Sequence, residues 1–322
     1  MSHRVATLAA AAALLMALPL GEADAQGKYP HSTVTLVTHS SAGGGSDVFL
    51  RELAKHLGPA MGVSFVVENV SGGSGAKAMA RLAKAPADGS VFYATTPTYI
   101  QTTLLSKPAV GYTALEPVAT VFLDPEVVYT RVESPHKTLA AVIEDAKKNP
   151  GKAKWGAANP ASLERIALEK LMRKTGVKAA VVSHEGGGQL MINVLNGTLD
   201  IGIGEVQEIR AQLDAGKVRM LATLTDNRLD HFPEVATAKE QGIDLSVIKF
   251  RGLAGPKGID PKAAAAIGDG IKAVLASPDY KKQFAKESLV VAFMPHAEAV
   301  TFTGAFAKEV EASLQEFGLL KK

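Results

Sequence analysis

The stretch "TVTLVTHSSAGGGSDVFLRELAKHLGP", residues 33–59, decides how the rest of the chain is read. A β-like apolar run at 33–39 passes through Gly43, Gly44 and Gly45 into a segment with Leu50, Leu53, Ala54 and Leu57 on one helical face. Strand, glycine loop and helix in that order form a unit of a parallel α/β sheet. Gly58 and Pro59 are expected to end the helix.

The unit recurs. "VSFVVENV" (63–70) reads as a strand, "SGGSG" (71–75) as a turn, "AKAMARLAKA" (76–85) as a helix and "SVFYATT" (90–96) as a strand. A second run follows, with strands expected in "PEVVYTRV" (125–132), "KAKWGAANP" (152–160), "VKAAVVSHEGGG" (177–188), "TLDIGIGE" (198–205) and "VRMLATLT" (218–225). Helices are expected between them, including "SLERIALEKLMRKTG" (162–176), which Gly176 should stop. From about Pro233 onward further helices are expected. Such alternation implies parallel strands with right-handed crossovers and a ligand at the strands' carboxyl ends. Two α/β runs without a flexible linker predict two lobes around a cleft, with crossings near 122–125 and 224–227. Lobe 1 would comprise 26–122 and 227–322, and lobe 2 would comprise 123–226.

Residues 1–25 read as an export leader: Arg4, an apolar core from Val5 to Leu20, and small residues at Ala23 and Ala25 before the cut. The apolar run is shorter than the roughly 20 residues a spanning helix needs. The chain has no cysteine, which excludes disulfides, thiolate metal sites and lipid attachment. The core alone must therefore hold the fold, and a chain of 322 residues is long enough for that. Net charge is +3, or about +4 once the leader is removed. It is thinly spread, and aromatics are only 6%, so nucleic-acid binding is not expected.

The first loop, Ser40, Ser41, Ala42, Gly43, Gly44, Gly45 and Ser46, combines bare backbone, hydroxyls and the unpaired amides of a helix start, a setting that favours an anion. Asp47 is either a cap for that helix or a contact for a ligand amine or hydroxyl. Nucleotide fingerprints fail. Val48 stands where G-x-G-x-x-G needs its last glycine, and "GSGAKA" (73–78) lacks an acidic residue at the next strand end. Around Ser74 the hydrolase elbow fails at Ala76, and His184-Glu185 has Gly188 where H-E-x-x-H needs histidine. No catalytic residue, metal or cofactor is expected. The second run offers similar polar junctions: Asn159 and Ser162 at one helix start, His184, Glu185, Gly186 and Gly187 at another. Each has a plainer reading, as N-cap or exposed pair. Glu205 ends a strand that approaches the cleft, where it could repel a second carboxylate or receive an amine or hydroxyl. Trp155 and Tyr99 read as core.

Taken with "VVENVSGGSGAKAMARLAKAPADG", "VLNGTLDIGIG", "RLDHFPEVATAKEQGI" and "GLAGPKGI", the chain resembles the Bug (TctC-type) periplasmic solute receptors of tripartite tricarboxylate transporters over its whole mature length. The resemblance implies a type II periplasmic-binding-protein fold, with two α/β lobes closing on a small organic carboxylate: a di- or tricarboxylate, an aromatic acid or an acidic amino acid. It implies a monomer that delivers this ligand to the large and small membrane subunits of the carrier. By position, the carboxylate would rest on Ser40–Ser46, with Thr96 and Thr98 nearby. Asn159 to Ser162 and His184 to Gly187 would oppose it. The chain departs from the common pattern at "AANPASLER" and at Gly204-Glu205, both in the part expected to choose the ligand. The alternatives are an exported enzyme using His184 and Glu185 as acid and base, or a sensor component presenting the same ligand.

Overall fold

The computed structural model describes residues 29–316 and 318–320; the leader expected at 1–25 lies outside them. Strand β1 (Thr33–Thr38) enters the glycine loop and helix α1 (Gly45–Met61) leaves it. Helix α1 buries Phe49, Leu50, Leu53 and Leu57. It does not stop at Gly58 and Pro59. It continues to Met61 and ends at Gly62, whose left-handed backbone (φ 65°) lets its amide donate to the Gly58 carbonyl. Pro59 sits in the last turn, where its helical φ fits and its ring gives up one backbone bond.

Strands β2 (Ser64–Asn69) and β3 (Val91–Thr95) flank β1 in parallel, joined through α2 (Ala76–Ala83). The "SGGSG" turn includes one turn of 3-10 helix, Gly73–Gly75. After α3 (Pro97–Ser106), the chain enters the 17-residue strand β4 (Leu115–Arg131). The second run then builds α4 (Leu139–Lys148), β5 (Lys154–Ala157), α5 (Leu163–Thr175), β6 (Ala180–Ser183), α6 (Gly187–Leu195), β7 (Ile201–Glu205), α7 (Val206–Asp214) and β8 (Val218–Thr223). As expected, α5 ends at Gly176 in the left-handed region.

The last third departs from expectation, because it is not all helix. Strand β9 (Ile248–Pro256) comes first, then α8 (Pro261–Ala276), α9 (Pro278–Lys286), β10 (Val290–Met294) and α10 (His296–Glu316). Strand β9 interleaves Lys249, Arg251, Gly252 and Gly255 with Phe250, Leu253 and Ala254, so its apolar pattern is broken. It is a strand because it lies antiparallel between β3 and β4.

The first half of the sheet runs β2-β1-β3-β9-β4, with β10 also on β4. From Glu126 onward β4 pairs instead with β7 and β8, and β5 and β6 extend the second half in parallel beyond β7. Two α/β lobes share β4, in a periplasmic-binding-protein fold. One core gathers Leu36, Leu50, Leu53, Phe92, Phe122 and Ile267, the other Trp155, Leu168, Leu171, Ile201 and Ile203. Each such buried side chain contributes roughly 1.5–3 kcal/mol, which is how the fold holds without disulfides. Tyr99 is also core. The strand ends preceding α1, α3, α5, α6 and α7 converge on the line between the lobes.

Candidate ligand-binding site

The first lobe's contribution begins at α1. Gly44 caps the helix with extended backbone, and its amide donates to the Ser41 carbonyl. Asp47 braces the loop from behind: it accepts from the Gly43 amide (2.9 Å), from Asn69 (2.9 Å) and from Arg51 (3.0 Å). Burial alone would raise its pKa, but these bonds hold its carboxyl below the usual value. Thr96 caps α3 by accepting from the Thr98 amide.

The second lobe meets this loop directly. A Cβ on Gly186 would lie 2.6 Å from the Ser41 amide nitrogen, and one on Gly188 would strike the Ala42 carbonyl. Only glycine lets the two backbones approach so closely. The lobes are therefore shut, and the pocket between them is about 20 Å³, room for about one water. Its walls include Ser40, Gly45, Ser46, Thr96, Thr98 and His39 from the first lobe. Ala158, Asn159, Glu164, Gly186, Gly187, Glu205 and Glu208 face them from the second, with Lys249 and Arg251 between.

Two cations sit at the base of this pocket, both on β9 and both almost fully buried. Lys249 is ion-paired with Glu126 (3.2 Å), Glu164 and Glu205. Arg251 donates from Nε to Asp124 (2.8 Å) and from Nη1 to the Ser46 hydroxyl (2.7 Å), and its Nη2 lies 2.9 Å from Glu205. Glu208 presses against the start of α6, where a Cβ on Gly187 would overlap its carboxyl. Five carboxyl groups thus surround two cations. Burial pushes Glu126 up to about 8 and Glu208 well above the usual range. Burial also works against charge on Glu164, but Lys249 holds that carboxyl below its usual value. His39 is pushed down to about 4 by burial, then by Lys249 and Arg251, so it is neutral at pH 7, with Tyr93 at 2.9 Å from its Nδ1. Sequestered charges of this kind stand only when paired.

The tripartite tricarboxylate transporter family receptor pattern matches residues 49–319. The chain belongs to that family. Among the receptor's relatives, the UPF0065 protein in the gbd 5' region of Cupriavidus necator is 28% identical over 322 residues, covering 99% of this chain and 97% of the relative. Protein BugT of Bordetella pertussis is 27% identical over 264 residues, 80% of this chain and 81% of its own. The fold is also that of solved structures. An R. palustris protein with adipate superposes with a TM-score of 0.85 at 24% identity, over 90% of this chain and 98% of the other. The periplasmic binding protein BugD gives 0.83 at 23%, over 91% and 100%. MatC from Rhodopseudomonas palustris with bound malate gives 0.81 at 22%, over 89% and 99%.

In this receptor, the residues singled out from sequence fall into three groups. Ser40, Gly45, Ser46, Thr96, Thr98, Asn159, Gly186, Gly187 and Glu205 line the pocket. Ser41, Ala42, Gly43, Gly44, Asp47 and Ser162 build its frame: Ser162 caps α5 by accepting from the Arg165 amide, and Asp47 is a brace. His184 and Glu185 are not among the lining residues. Burial depresses the His184 imidazole, while Glu185 is exposed. Sequence reasoning missed His39, Ala158, Glu164, Glu208, Lys249 and Arg251. Glu164 and Glu208 look like surface acids of amphipathic helices. The signal available for Lys249 and Arg251 was two cations alternating with apolar residues in "IKFRGLAG", a strand pattern with charge on one face.

Proposed function

We propose that this receptor captures a small organic carboxylate in the periplasm and presents it to the membrane subunits of a tripartite tricarboxylate transporter, without transforming it. One observation carries the reading. Gly45 and Ser46 of the first turn of α1 line the pocket where the lobes meet, together with Arg251, whose buried Nη2 makes no hydrogen bond though Glu205 lies 2.9 Å from it. The carboxylates held by two solved neighbours, adipate and malate, support it, as does family membership. Among the described residues, no helix is long and apolar enough to cross a membrane. A leader cleaved after Ala25 completes the reading, and the N-terminal mass of the exported chain tests that cut.

Shut lobes around so small a space imply that ligand enters by opening about a hinge. We place the outward crossing at Asp124–Glu126 of β4, where pairing passes from β9 to β7. The return, expected near 224–227, is better placed at β9, because Ala238, Ile243, Leu245 and Val247 pack in the second lobe's core. A chemical-denaturation series with mono-, di- and tricarboxylates, aromatic acids and amino acids tests the function. An acid at 1,000 times its dissociation constant should add about 4 kcal/mol to stability. Ligand-free, folded protein whose midpoint no acid moves would overturn the reading.

A further inference from the structure

The polar atoms of the pocket divide by kind. Beside α1, the lining atom without a hydrogen bond is a donor, Arg251 Nη2, which lies 2.9 Å from Glu205 and shares with it the space a Cβ on Gly45 would take. On the second lobe the unfilled atoms are acceptors: Asn159 Oδ1, Glu164 Oε2 and Glu208 Oε1. Asn159 is 5% exposed and Glu164 2%, so bulk water does not serve them. Buried acceptors left without donors are costly, which marks them as positions for a ligand's N–H or O–H groups.

The cations point the same way. Lys249 is already enclosed by three carboxyl groups, and Arg251 is hydrogen-bonded to Asp124 and Ser46 and ion-paired with Glu205 through an Nη2 that makes no hydrogen bond. The start of α6, which would otherwise receive a second anion, is occupied by Glu208 from within the protein. A second ligand carboxylate would enter beside Glu164 and Glu205 with both Lys249 and Arg251 already paired.

Resting on the carboxylate reading above, we infer that the ligand is a small amino carboxylate. Its single carboxylate meets Arg251 and the start of α1, and its ammonium faces Asn159, Glu164 and Glu208. An ammonium carries three donors, matching the three unfilled acceptors.

Calorimetric titration of the ligand-free chain with matched pairs tests the inference: 4-aminobutanoate against succinate, 6-aminohexanoate against adipate, alanine against lactate. The amino member should bind at least roughly tenfold tighter in one pair or more. If the acid or hydroxy acid binds as tightly or tighter in every pair that binds, the inference falls and the carboxylate reading survives. If no carboxylate of either kind binds, both fall. Glu164→Gln keeps the side chain's size, removes a charge from that wall and should narrow the amino preference by roughly tenfold; Asn159→Ala, which leaves every charge in place, should weaken the amino member selectively. An amino-to-acid ratio unchanged in both folded variants would overturn the assignment of the ammonium site.

Discussion

At the scale of single residues, the molecule is governed by buried charge. Lys249 is the cation shared by Glu126, Glu164 and Glu205 where water does not reach, so Lys249→Met should destabilise the fold by about 3–5 kcal/mol, read from urea denaturation at neutral pH. Glu126 makes a pH prediction. Its folded-state pKa is raised to about 8 from 4.5, so the folded chain favours the protonated form. That contribution is fully present below about 4.5 and is lost as pH rises through about 8. The denaturation midpoint should therefore decline over this interval, and Glu126→Gln should flatten the decline. His39 acts in the opposite sense: its pKa is depressed to about 4, so its contribution holds above 6.5 and is lost as pH falls through 4. These residues were hard to read in the sequence. An acid in "SLERIALEK" or "EVQEIR" carries no local mark of burial, since the groups that bury it lie tens of residues away. Ser40, Gly45 and Ser46 were readable because a glycine loop before a helix announces itself locally.

At the scale of elements, the junctions matter more than the helices and strands they join. Gly186 and Gly188 exist as glycines because backbone from the other lobe occupies the space of a side chain. Gly186→Ala should wedge the lobes apart, weakening ligand binding roughly tenfold or more while barely moving the ligand-free denaturation midpoint. A cap away from the cleft gives the converse. The Thr138 hydroxyl accepts from the Ala141 amide at the start of α4, so Thr138→Ala should cost about 1 kcal/mol and leave affinity unchanged. The helices and parallel strands of both runs were legible from apolar period and glycine stops. Strand β9 was not, because Gly252 and Gly255 interrupt the alternation that Lys249, Phe250 and Arg251 begin. What makes it a strand is the vacancy between β3 and β4, a tertiary fact.

At the scale of the whole molecule, β4 runs through both halves of the sheet, and we place the chain's return to the first half at β9. In hydrogen exchange without ligand, β4 and β9 should be the slowest segments, being paired on both sides, and the loops at 40–46 and 184–188 among the fastest. A saturating ligand should slow those two loops together and leave β4 and β9 unchanged. Protection of only one loop would contradict clamping between lobes.

The sequence by itself determined the α/β class, the two-run organisation, the glycine-bearing junctions and the family resemblance, because each is written in local period, turn residues and contiguous motifs. Tertiary structure alone decided the electrostatic character of the cleft. Asp124, Glu126, Glu164, Glu205, Glu208, Lys249 and Arg251 come from five elements spread over more than a hundred residues. Their burial, pairing and unfilled atoms arise only once the lobes fold together and exclude water.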